Sequence, residues 1–154
     1  MSSRKFLMDE DKAGAGFTGR KIKAYDKLEL TDEQQKVLAT LRQNCVEETL
    51  WSAIAAFQNY PFRTASGLPY QYKLKIGKDG TYNKELLIDR RENSKTLSWS
   101  SIKMAFQNCR QISGIVKRPK ALGDIRGISY IYPLFWKFGL IEVPEEIAKK
   151  MGGE

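Results

Sequence analysis

The stretch Tyr70-Gln71-Tyr72-Lys73-Leu74-Lys75-Ile76 constrains the fold more than any other in this chain. Tyr72, Leu74 and Ile76 fall on one side of it, and Lys73 and Lys75 on the other. A period of two with one apolar face is the pattern of a half-buried antiparallel strand. Gly77-Lys78-Asp79-Gly80 supplies a tight connection, and a return strand follows over Tyr82–Asp89. Leu86 and Ile88 share one face of that strand and Leu87 takes the other. Two strands alone are marginal in water, so the hairpin must pack on a helix or gain a third strand.

Helical periodicity flanks it on both sides. Thr31-Asp32-Glu33-Gln34 reads as a capping box with two acids near the positive end of a helix dipole. Val37, Leu38, Leu41, Cys45, Val46, Leu50, Ile54 and Phe57 then recur at helical spacing. This predicts a long N-terminal helix from Thr31 to about Asn59, with Asn44 as the place where it would break. A second helix is expected over Ser98–Gln111, and a short aromatic one over Ser129–Phe138 with Pro133 in its first turn. Leu140–Val143 is the candidate for a third, C-terminal strand in a three-stranded antiparallel sheet, and Pro144–Lys150 for a last short helix. The fold class expected is α+β: a long helix, a β-hairpin and two to three further helices.

At 154 residues and 42% hydrophobic, the chain suffices for one compact domain. Residues 1–30, with mixed charge, several glycines and no periodicity, read as a flexible arm, which leaves 31–154 as the domain. No apolar run reaches the about 18 residues that a membrane helix needs. Met1–Leu7 has no apolar signal-peptide core. Cys45 and Cys109 each lie in helical stretches and read as buried thiols of a reducing compartment. The expectation is a cytoplasmic protein without a membrane partner.

Charge narrows the function. The net charge is +8, and its placement is uneven. Residues 63–126 hold 14 Lys and Arg against 5 Asp and Glu, whereas residues 1–62 balance at 9 and 9. A basic centre of this kind favours a polyanionic partner. The candidate phosphate contacts are Lys73 and Lys75 on the strand, Arg90, Arg91 and Lys95 after the hairpin, and Lys117, Arg118 and Lys120 in the later loop. Tyr70, Tyr72, Tyr82 and Trp99 are interleaved with them, as stacking residues are in single-strand binders. The competing interpretation makes the lysines a solvated hairpin face and the aromatics core.

Histidine is absent, which removes Ser-His and Cys-His nucleophile pairs and nearly all zinc sites. Glu85 and Asp89 share one strand face and would suit Mg²⁺ together with Glu48 or Asp124, as in a Mg²⁺-dependent nuclease. Leu87 between them argues for packing instead. Ser100 and Lys103 match a Ser-x-x-Lys pattern, but no accompanying Lys-Thr-Gly element exists. Tyr130, Tyr132, Phe135, Trp136 and Phe138 crowd one segment, with core packing as the first reading and a protein-docking patch through Tyr130, Tyr132 and Trp136 as the second. The leading expectation is a non-catalytic nucleic-acid-binding protein, for DNA or RNA, with no cofactor and no metal. A protein–protein module, either an accessory subunit or an inhibitor, docking through the aromatic segment 130–138 or through the basic patch, is the alternative, and a Mg²⁺-dependent nuclease comes third.

Overall fold

The computed structural model describes residues 30–90 and 94–153. The arm expected over residues 1–30 lies outside that range apart from Leu30, and so does Arg91.

The capping box at Thr31 forms as expected. The Thr31 hydroxyl accepts from the Gln34 N–H at 3.1 Å, and the Gln34 side chain accepts from the Thr31 N–H at 2.9 Å. Helix α1 then runs over Asp32–Gln43 and stops. The single long helix is two: α2 spans Glu47–Ala56. The break has a local cause in Thr49. Its hydroxyl accepts from the Val46 N–H at 3.1 Å and donates to the Asn44 carbonyl, so the side chain occupies groups that a continuous helix would bond through its backbone. Glu47 and Glu48 then suit the start of α2.

Four antiparallel strands follow in sequential order: β1 Phe62–Arg63, β2 Pro69–Ile76, β3 Tyr82–Arg90 and β4 Ser94–Ser98. Two of them differ from expectation. The sheet gains β4 from a Ser-Lys-Thr stretch that reads as the lead-in to a helix, and β1 from the segment after α2. The Leu140–Val143 segment makes only an isolated parallel bridge, Glu142 with Ile115. Within the hairpin, Tyr70, Tyr72 and Leu74 are buried in alternation, but Ile76 is 67% exposed. The register slips between Leu74 and Ile76 through two extra residues in β3, and Ile76 lies beyond that irregularity at the hairpin end of the sheet. Gly80 closes the turn at φ 84°, and Asp79 accepts from the Thr81 N–H at 3.0 Å and its hydroxyl at 2.8 Å. Those bonds hold the Asp79 carboxyl below its ordinary range.

The edge of β2 is shut by the end of α2 and the turn after it. The Asn59 N–H donates to the Tyr72 carbonyl at 2.7 Å, and the Leu74 N–H donates to the Gln58 side chain at 2.8 Å.

One face of the sheet is solvated and the other carries the core. Helix α3, Trp99–Cys109, begins directly after β4, with the Ser98 hydroxyl accepting from the Ser101 N–H at 3.2 Å. Helix α4, Ile128–Lys137, is apolar nearly all round and is accordingly buried. Ile131, Tyr132, Leu134 and Phe135 are shut off from solvent there, as are Leu86 and Ile88 on β3. Each such large side chain contributes roughly 1.5–3 kcal/mol by burial. Pro133 sits inside α4 and not in a first turn, where it removes one backbone hydrogen bond. Helix α5, Glu145–Ala148, completes the chain and runs into a wider turn at Lys149–Gly153. No helix among the described residues is long and apolar enough to cross a membrane.

Candidate anion-binding site

Strand pleat decides which basic residues meet. On β3, Arg90 has the same phase as Leu86 and Ile88, so it belongs to the core face of the sheet. On β4, Lys95 pairs with Ile88 and Leu97 with Leu86, which puts Lys95 on that face too. These two cations stand where the helical layer over the sheet ends. Lys73 and Lys75 have the opposite phase. They lie on the solvated face, where Lys75 pairs with Glu85 at 3.4 Å.

The third cation comes from the approach to α4. Arg126 precedes Gly127, which caps α4 in the left-handed conformation at φ 80°. Glycine is required here twice over. The backbone sits where side chains cost energy, and a Cβ at this position would lie 2.5 Å from Leu97 Cδ1. Its absence lets the start of α4 close on β4. A cavity of about 550 Å³ forms between them, lined by Ile88, Arg90, Lys95, Thr96, Leu97, Arg126, Gly127, Ser129 and Tyr130. Among the described residues no carboxylate lines it, α4 has no acid in its first turn, and no side chain caps that helix end. The positive end of the helix dipole therefore adds to the three side chains.

Arg90 is held rather than free. Its Nη1 donates to the Tyr130 hydroxyl at 2.6 Å, and its guanidinium lies 5.8 Å from the Tyr130 ring centre. Tyr130 is itself fixed by Tyr70, which donates its hydroxyl to the Tyr130 carbonyl at 2.9 Å and meets its ring edge-on at 5.1 Å. Burial raises the Tyr70 phenol well above its ordinary value, which keeps it a neutral donor. Arg90 Nε is sealed from solvent and has no hydrogen-bond partner among the described residues.

The remaining candidates lie elsewhere. Lys117, Arg118 and Lys120 are exposed around the short turn Pro119–Leu122 and do not line the cavity. Tyr70 and Tyr72 are core residues rather than stacking platforms, at 4% and 1% exposure. Trp99 is also buried; it packs edge-on against Trp51 at 5.0 Å, with Lys84 over both rings. Of the docking triad, Tyr132 is buried completely and donates its hydroxyl to the Val116 carbonyl, so a partner would have to open the core to reach it. Tyr130 belongs to the cavity, and Trp136 is half-buried. Glu85 and Asp89 do share the solvated sheet face, but Glu85 is engaged by Lys75. Among the described residues no group of three or more Cys, Asp and Glu is placed to hold a metal ion.

Sequence reasoning passed over Arg126 and assigned Tyr130 to a different role. A signal for the site did exist: Arg90 continues the core-facing phase of Leu86 and Ile88, and a cation in that phase needs a reason. Comparison with protein-family profiles, with characterised proteins and with solved structures returns no match to this chain.

Proposed function

We propose that this protein binds nucleic acid, and that the cavity between β4 and the start of α4 receives a phosphate of the strand. One observation carries the reading: Arg90, Lys95 and Arg126 converge on a single cavity beside a helix N-terminus, and no carboxylate among the described residues lines it. Phosphate is the anion most suited to this set, because guanidinium groups pair its oxygens in two-pronged fashion and a helix end favours its charge. The exposed cations at Lys117, Arg118 and Lys120 supply further positive surface for the rest of a polyanion.

The test is fluorescence anisotropy with single- and double-stranded DNA and RNA across a salt series. Binding whose logarithm falls steeply with the logarithm of salt supports the reading. Absence of binding to every strand at low salt rejects it.

A further inference from the structure

The shape of the cavity goes further than its charge. An internal phosphodiester has nucleotides on both sides, so proteins usually meet it on an open surface or groove, with one or two cations apiece. This site is walled differently. The first turn of α4 forms one side, and the bonded Arg90–Tyr130 pair lines it together with the exposed Lys95 and Arg126. Three cations and a helix end are concentrated there, which is more positive charge than a singly charged diester calls for. A phosphomonoester carries about −1.5 to −2 charge at pH 7 and offers three acceptor oxygens. At about 550 Å³ the cavity also exceeds what a phosphate alone fills, and it falls in the range of small-molecule sites.

We infer that the cavity takes the terminal phosphomonoester of a nucleic-acid strand. Arg90 reads the phosphate from within, where Tyr130 holds it in one orientation. Lys95 and Arg126, both exposed, meet it from the mouth. This rests on the nucleic-acid reading and narrows it to strand ends.

The experiment uses the full chain and one internally labelled oligonucleotide sequence in four forms: 5′-phosphorylated, 3′-phosphorylated, hydroxyl at both ends, and circular. Affinity is read by anisotropy at moderate salt. One phosphorylated form should bind at least about tenfold tighter than the hydroxyl-ended and circular forms, a difference of about 1.4 kcal/mol. Whichever end shows the gain identifies the polarity of the bound strand. Arg126→Gln, an exposed position outside the core, should erase the gain, so that phosphorylated and hydroxyl-ended forms bind alike. Equal affinity for all four forms overturns the inference while leaving nucleic-acid binding in place. A gain that persists in Arg126→Gln overturns it too, by locating end recognition elsewhere. No binding by any form removes both readings together.

Discussion

Arg90 and Lys73 belong to adjacent strands of one sheet and face opposite ways. Lys73 stands on the solvated face among side chains that water already satisfies, next to a Lys75 that has found Glu85. Arg90 stands on the core face, pinned to a buried tyrosine, with one donor unanswered and two more cations around the same cavity. Both count as one positive charge in the composition. Only the second has been arranged at a cost, since a half-buried guanidinium on a core face gives up solvation that an exposed lysine keeps. The contrast teaches that a basic stretch should be judged by the phase of its residues rather than by their number.

Removing both sides of the contrast in turn is the strongest way to break it. The triple variant Arg90→Gln, Lys95→Gln, Arg126→Gln should lose on the order of a hundredfold in affinity for a phosphorylated strand, because hydrogen bonds to charged groups are worth about 1.5–3 kcal/mol each. Its salt dependence should flatten as well. If anisotropy finds the triple variant as tight as the parent, the cavity is not the binding surface.

Gly127→Ala sharpens the comparison from the structural side. A methyl group would meet Leu97 Cδ1 at 2.5 Å on a backbone at φ 80°, so Leu97 must turn aside and the left-handed backbone is strained. The expected cost is about 1–3 kcal/mol in urea unfolding, together with weaker strand binding. A variant of parental stability would mean that the close approach of α4 is not what shapes the cavity.

Tyr70→Phe is gentler. It removes the bond to the Tyr130 carbonyl and leaves a buried acceptor, for about 1–2 kcal/mol in the same assay. The buried phenols also fix a pH dependence. Burial raises Tyr70 well above the ordinary 10.0 and pushes Tyr132 up to about 12. The folded state thus holds these protons more tightly than the unfolded chain does. Their contribution is complete below pH 10 and is lost as pH climbs through the raised values. Circular dichroism and tyrosinate absorbance should therefore change together in alkali. Ionisation of every tyrosine with the fold intact would contradict the burial.

The smallest effect belongs to the other face. Lys73→Gln with Lys75→Gln should change affinity by less than about threefold and stability by no more than about 0.5 kcal/mol, as exposed pairs do. A loss here to match the triple variant would erase the distinction between the faces.

Much of the fold was legible because it is local. The capping box at Thr31, the alternation from Tyr70 to Leu74 and the helix through Ile102 and Phe106 each depend on neighbours in sequence. The errors fall where tertiary contacts or one side chain override the local pattern. Thr49 ends a helix that the apolar spacing would continue. Ser94–Ser98 becomes a strand because β3 offers it an edge, not because Ser-Lys-Thr favours one. The cavity was illegible in its assembly, since Gly127 and Leu97 are brought together only by the packing of α4 on β4. Its inner wall was half legible, in the phase of Arg90.

The closed edge of β2 has a consequence for crowded solutions. Every sheet offers two margins along which a copy of itself can pair, and a fibre needs both. Here β1 covers the beginning of one margin, and Asn59 and Gln58 occupy the backbone groups of Tyr72 and Leu74 further along it. Among the described residues β4 is the long margin, and two molecules that met through it would each retain only the two-residue β1 as a further edge. Strand pairing between copies stops at two, so a chain whose sheet ends could have seeded an open-ended polymer instead reaches a closed end point.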